Sequence, residues 1–470
     1  MTIIEQLKSG ERARLIPVLP DSKKEEKATA SLLAAFRIIP EFAKSVLSDA
    51  GASIGTRAKI DCYTEVVFKH ECAKGIRPDG LIVVHTGKKE WTALIESKIG
   101  NANLSCDQLE KYLTVARALG IDALITISNE YAVLPTHHPV NITKQSLKKV
   151  ELYHFSWLSI ISKAVILSDN KIVDDPEQAF LLSELIRYFR HSSSGVSALS
   201  KMSPDWREIC DLVQRGAHLS SHQKEIEGAV SSWNQLLRYL SLQLSMATRS
   251  AVSVQLPRKL QSSPEQQIKQ AIHTMVSSGK MIATLEIPNA AGPIQITADL
   301  MRRTVTFDIK LTSPQDVKRP TAAINWLTRQ LKDVKAMEEI VIKAYWPRRT
   351  PMTMSTLSQA IDSPETLLAE GIKDIPKELE VSIVTDLAGR FRGARTFIEE
   401  TERALLWFYD TIGEHLSIWV PKAPKIKPQM DNESGNENNQ VAPVESSYEK
   451  EIRERFLYPA IVVDNTGTDS

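Results

Sequence analysis

The chain has 470 residues with 42% hydrophobic and 24% charged content, ordinary for a globular protein and enough for two or three cores. Its formal net charge of +1 excludes a global basic field, so any polyanion site has to be a local patch. The four cysteines at 62, 72, 106 and 210 form no C-x-x-C pair, the charged N-terminus is no signal peptide, and no run of about 18 apolar residues occurs, so reduced thiols, a cytoplasmic location and no membrane partner are expected.

Residues 1–22 read as a charged lead ending in a proline-bounded apolar piece. From Lys23 to about Ala50 the apolar spacing predicts two helices interrupted at Pro40. Residues 51–57 are loop, and Ala58 to Lys69 is a strand by composition. The next stretch, Arg77 to Tyr112, organises the rest. Two short apolar runs flank Thr86-Gly87-Lys88-Lys89, and Gly-Lys suits a tight primed turn in which Gly supplies φ > 0. Thr86 then pairs with Lys89, and counting back sets Asp79 opposite Glu96, with Cβ atoms about 5 Å apart. Lys98 shares the face of Glu96 because strand side chains alternate. Two carboxylates and one lysine therefore meet at one end of an otherwise apolar hairpin. Such carboxylates repel, and one tends to keep its proton. A divalent cation removes the conflict, and Mg²⁺ takes hard oxygen ligands of this kind. A salt-bridged strand end is the plainer reading of any one pair.

Pro78-Asp79 followed by Glu96-Ser97-Lys98 resembles the metal-binding signature of the PD-(D/E)XK nuclease superfamily, the restriction-endonuclease-like fold, over roughly residues 22–165. Gln108 and Tyr112, one helical turn apart, are similar to the Q-x-x-x-Y element of its RecB-like branch. The resemblance implies that Asp79 and Glu96 hold Mg²⁺ or Mn²⁺ with the backbone carbonyl of Ser97. It implies that Lys98 serves the attacking water and that Gln108 and Tyr112 line the cleft. It also implies a glutamate on an early helix, for which Glu25 is the candidate, with Glu26, Glu41 and Glu65 as alternatives. Ser105 to Gln108 reads equally as a capping box.

Ser105 to Leu119 is a helix closed by Gly120, Ile121 to Ser128 a buried strand, Lys149 to Trp157 another strand, and Trp157 to Leu167 a helix. This order predicts an α/β domain with a mixed central sheet. His137 and His138 are expected on a surface loop with side chains pointing apart, and His154 as a packed histidine. A helix at 175–191 starts on an Asp175 cap and Pro176, and 192–200 reads as a flexible linker. Ser203-Pro204-Asp205 starts another helix, and a longer one runs from Gln223 to Met246, its apolar positions facing a core.

From 250 to about 416 six strand-like runs alternate with helices at 264–277, 319–333, 354–370 and 395–413, an α+β pattern. A boundary or turn is expected around Arg302-Arg303. Tyr345 to Arg349 and Arg390 to Arg395 mix aromatics with arginines, which suits either base stacking or a solvated loop. Residues 421–447 are disordered by composition, and 448–470 form a terminal segment suited to docking or to a partner. The expected organisation is a nuclease-like domain at 1–170, a helical connector at 171–249, an α+β domain of substrate recognition at 250–420, and the tail. Two functions follow. One is a Mg²⁺-dependent nuclease cutting phosphodiester bonds, in DNA ahead of RNA, in defence or repair. The other is a catalytically silent nucleic-acid-binding or regulatory module on the same scaffold, which the near-neutral charge favours.

Overall fold

A computed structural model describes residues 2–421 apart from 21, 101, 144 and 262. The expected linker after Pro421 and the terminal segment lie outside the described residues. The first half runs β1 (Leu7–Arg12), α1 (Lys24–Ile38), α2 (Pro40–Leu47), β2 (Lys59–Phe68), β3 (Gly80–Thr86), β4 (Lys89–Ser97), α3 (Cys106–Leu119), β5 (Ala123–Ser128), β6 (Glu151–Ser156) and α4 (Trp157–Asp169). Its six strands lie in sequence order, with β1 to β4 antiparallel and β4, β5 and β6 parallel, so the sheet is mixed. Leu32, Leu33 and Phe36 of α1 pack with Ile82 and Ile95 on one face, and Leu109 and Leu113 of α3 pack with Leu81 and Leu94 on the other. Burial of both faces explains why β3, β4 and β5 read as continuous apolar runs.

The helix break at Pro40 and the two-residue turn fall where expected. Thr86 pairs with Lys89, and Gly87 alone of the turn pair takes positive φ, at 63°. The charged lead differs from expectation in one respect: Leu7–Arg12 is an edge strand. Its five exposed positions leave no apolar alternation to read. His137 also departs from expectation: it is buried, with Nε2 at 2.8 Å from Gln261 O, while His138 points away to Thr126 Oγ1 at 2.8 Å. His154 is packed, as expected.

The second half runs α5 (Pro176–Arg190), α6 (Pro204–Gln214), α7 (Lys224–Thr248), β7 (Ser253–Val254), α8 (Arg258–Gln261), α9 (Pro264–Ser278), β8 (Lys280–Glu286), β9 (Ile294–Asp299), β10 (Thr304–Thr312), α10 (Pro320–Thr328), β11 (Ile340–Tyr345), β12 (Thr353–Thr356), α11 (Leu357–Asp362), β13 (Glu378–Asp386) and α12 (Ala394–Thr411). Seven antiparallel strands form a second sheet in the order β12-β11-β13-β10-β9-β8-β7. Phe307 and Val381 face Leu236, Leu327 and Phe408 in its core. The expected helix over 354–370 is instead β12 and the short α11, which a Thr356–Gln359 capping box starts. Arg302-Arg303 is the hairpin turn between β9 and β10.

Met1–Pro421 is one compact unit. The stretch 171–249 divides between cores, since Leu182, Leu185 and Phe189 of α5 join the first sheet and α6 and α7 join the second. Residues 192–200 are held rather than free. Ser194 is fully buried, and Gly195 O accepts from Gly100 N at 2.9 Å. The four cysteines are free thiols, and no helix among the described residues is long and apolar enough to cross a membrane.

Candidate active site

The β3–β4 ladder begins at Gly80 opposite Ile95, so Asp79 enters one residue outside it, beside Glu96. Asp79 is fixed from both sides. Its carbonyl accepts from Glu65 N at 3.0 Å, and Pro78 O from Val66 N at 3.2 Å. Glu65 takes a left-handed φ of 54° to make that exchange, a conformation uncommon for a residue with a side chain. Beyond Ile95, β4 keeps pairing with β5, Glu96 against Thr126 and Ser97 against Ile127. Lys98 N continues the run to Ile127 O at 2.7 Å, and Trp157 Nε1 donates to Lys98 O at 2.9 Å.

Among the described residues the hydrogen bonds to the Asp79 side chain fall on Oδ2, from Ser97 N at 2.7 Å and Ser97 Oγ at 3.1 Å. Ser97 Oγ lies 2.6 Å from Thr29 Oγ1, which lies 2.8 Å from Glu25 O. Two hydroxyl protons are shared among those three oxygen–oxygen contacts, and burial, with the nearby Glu96 charge, pushes the Asp79 carboxyl from 3.8 up to about 7. Burial also pushes Glu96 upward, against the pull of Lys98.

Lys98 Nζ sits among three oxygens, Glu96 Oε1 at 2.7 Å, Ser97 O at 2.9 Å and Glu25 Oε1 at 3.0 Å. Burial opposes its charge, but the hydrogen bond and charge of Glu96 outweigh it, so its pKa is raised. In this state Lys98 is an ammonium with no lone pair. Gln108 Nε2 donates to Glu96 Oε1 at 2.8 Å and to Tyr112 Oη at 2.9 Å, and Tyr112 in turn donates to Arg77 O at 3.2 Å. The cap reading of Gln108 therefore fails: Ser105 makes no side-chain cap, and the amide is spent on Glu96. Of the four early glutamates only Glu25 brings its side chain to this cluster among the described residues, with Oε2 also 3.3 Å from Ile99 N. Glu26 pairs with Lys23 and Glu65 with Arg77, and Glu41 makes no contact with it.

The donor set suits a hard cation. Glu96 is 1% exposed, and its Oε2 is buried without a partner, a costly state for a carboxylate oxygen unless something positive meets it. No three His, Cys, Asp or Glu side chains converge as a ready metal cage among the described residues. Asp79, Glu96 and Ser97 O would hold the ion, with water and phosphate completing it, the arrangement Mg²⁺ favours.

The sequence missed Thr29, which links Ser97 to α1, and Trp157, which fixes the Lys98 backbone. No local pattern marks either. The two aromatic-arginine stretches of the second half keep their arginines at the surface and bury part of their aromatics. Trp346 and Phe391 are buried, and Arg390, Arg392 and Arg395 pair with Glu400, Asp211 and Glu399. Neither a protein-family model, nor a curated protein, nor a solved structure matches this chain.

Proposed function

We propose that this chain is a metal-dependent nuclease of the PD-(D/E)XK type that hydrolyses phosphodiester bonds, in DNA ahead of RNA, in a defence or repair role. The observation that carries the reading is the meeting of Asp79, Glu96, Lys98 and Gln108 at one sheet end with a buried, unpartnered Glu96 oxygen. The helix, antiparallel strands, helix and parallel strands around it support a restriction-endonuclease-like core. Mg²⁺ or Mn²⁺ bound there supplies Lewis acidity and a water of lowered pKa. Asp79 and Glu96 supply its negative counter-charge. Gln108 fixes Glu96 Oε1 and so aims Oε2. Lys98, already an ammonium, stabilises charge that grows on the phosphate oxygens. Glu25 keeps that ammonium oriented. The test is incubation of linear, circular and single-stranded DNA and of RNA with and without Mn²⁺. Wild-type protein cleaves at least one substrate in Mn²⁺ and the Lys98→Ala protein does not. Equal cleavage by both overturns the proposal.

One observation favours the catalytically silent reading. Lys98 Nζ already holds Glu96 Oε1 and Ser97 O, two groups assigned to the cation. If the lysine has taken the metal's place for good, calorimetric titration finds no Mn²⁺ binding even with DNA present. Binding that Asp79→Asn abolishes supports the enzyme.

A further inference from the structure

A cavity of about 340 Å³ opens beside Asp79, walled by β1, the segment after it, α1 and Arg77. Four cations line it. Arg12 is engaged by Asp61 at 2.8 Å, Lys23 by Glu26 at 2.7 Å and Arg77 by Glu65 at 2.6 Å. Arg14 has no ion pair or side-chain hydrogen bond among the described residues. Glu11 and Asp79 line it as well, so the wall is nearly neutral at rest, and among the described residues Arg14 is the lining cation without an ion pair. Arg14 is not on a loose loop. Ala13 N donates to Cys62 O at 2.9 Å, and Leu15 O accepts from Ser31 Oγ at 3.1 Å, so the chain is pinned on both sides of it.

The same segment then turns two apolar side chains outward, Ile16 at 83% and Val18 at 95% exposure. Pro17 lines both this cavity and an adjoining apolar groove of about 430 Å³ that includes Phe180, itself 63% exposed. Leaving the carboxylates, the surface thus presents an exposed guanidinium on a pinned backbone and then an apolar rim. A duplex offers phosphates but hides its base faces. An unpaired strand offers both in turn, and exposed apolar and aromatic side chains take unpaired bases without sequence preference.

We propose that this cavity and its rim bind a single nucleic-acid strand, with Arg14 holding the phosphate next to the scissile one and Ile16, Val18 and Phe180 taking unpaired bases. The proposal deepens the nuclease reading and rests on it. It makes an unpaired strand the preferred substrate.

The test measures binding of the full chain to a labelled single-stranded deoxyoligonucleotide, the matching ribo-oligonucleotide and the DNA duplex, in Ca²⁺ over a salt series. Single strands bind more tightly than duplex. Arg14→Ala weakens single-strand binding about tenfold and lowers the slope of log K against log salt by about 0.7, the share of one phosphate contact on a single strand. Arg14→Lys keeps the slope and loses part of the affinity. Val18→Ser weakens single-strand binding without changing the slope. The tighter of the two single strands assigns DNA or RNA. Duplex binding as tight as single-strand binding, or an Arg14→Ala protein that binds like wild type, overturns the proposal. If wild type still cleaves in Mn²⁺ under either of those results, only the strand pocket fails. If nothing is cleaved while single-strand binding stays Arg14-dependent, only the chemistry fails.

Discussion

Asp79 without a cation is a liability whose size follows from its setting. The native carboxyl holds its proton up to about pH 7, whereas the unfolded chain releases it near the ordinary 3.8. Between those values the native state binds the extra proton, so stability falls as pH rises through the window and stays low above it. Each pH unit contributes about 1.4 kcal/mol, which sets an upper limit of about 4 kcal/mol. Asp79 is partly open to solvent and Lys98 is near, so about 2 kcal/mol is the working figure. Asp79→Asn removes the titration at nearly constant shape. In EDTA at pH 8 the variant is therefore more stable than wild type by about 2 kcal/mol, and the difference vanishes near pH 4. Saturating Mn²⁺ reverses the order, because only the carboxylate gains from the ion. Urea unfolding across pH 4 to 8 by circular dichroism, with EDTA or Mn²⁺, measures all three. A variant with the wild-type pH slope would refute the assignment of that proton to Asp79.

Two further outcomes follow from the same cluster. Lys98→Ala leaves Glu96 buried without its counter-charge, so it lowers stability in EDTA by about 3 kcal/mol, and Mn²⁺ restores much of that without restoring cleavage. Calorimetric unfolding beside a nuclease assay checks this, and a loss that the ion does not repair counts against a shared place for ammonium and metal. Gln108→Leu removes the donor on Glu96 Oε1, so the carboxylate titrates higher and the acid limb of the pH–rate profile moves to higher pH. A profile of unchanged shape with a lower plateau would mean that Gln108 only shapes the cleft.

The hairpin was legible because its information is local. A two-residue turn with Gly87 fixes register, and register fixes which side chains face each other. Glu25 is the candidate the sequence offers with Glu26, Glu41 and Glu65 as alternatives, and only the packing of α1 on the sheet separates the four. Gln108 carried two readings, cleft residue and cap, which the local sequence could not separate. The local rule offered a capping box, and a buried carboxylate one strand away won the amide. Leu7–Arg12 was lost because an exposed edge strand carries no apolar alternation. Residues 354–370 read as helix because the strand there, Thr353–Thr356, is too short to show an alternation. Arg14 left no mark either: in ERARLIP two arginines sit two residues apart between a glutamate and an apolar run, and only the fold decides which one overlooks Asp79 uncommitted.

The placement of the cluster has a topological cause. β4 is antiparallel to β3 along most of its length and parallel to β5 at its C-terminal end. The chain entering β3 meets the ladder only at Gly80, so Glu96 to Lys98 run past their antiparallel partner with β5 on one side alone. That leaves a gap at the carboxyl end of parallel strands, the position where open α/β sheets accept ligands. Asp79 is delivered to the gap by the Pro78–Val66 and Asp79–Glu65 backbone contacts, α1 brings Glu25 over it, and α3 brings Gln108 under it. Apolar side chains there would close the gap and extend the core. Two carboxylates, an ammonium and an amide keep it polar at a cost in stability, which is the pattern of a place kept for a charged ligand.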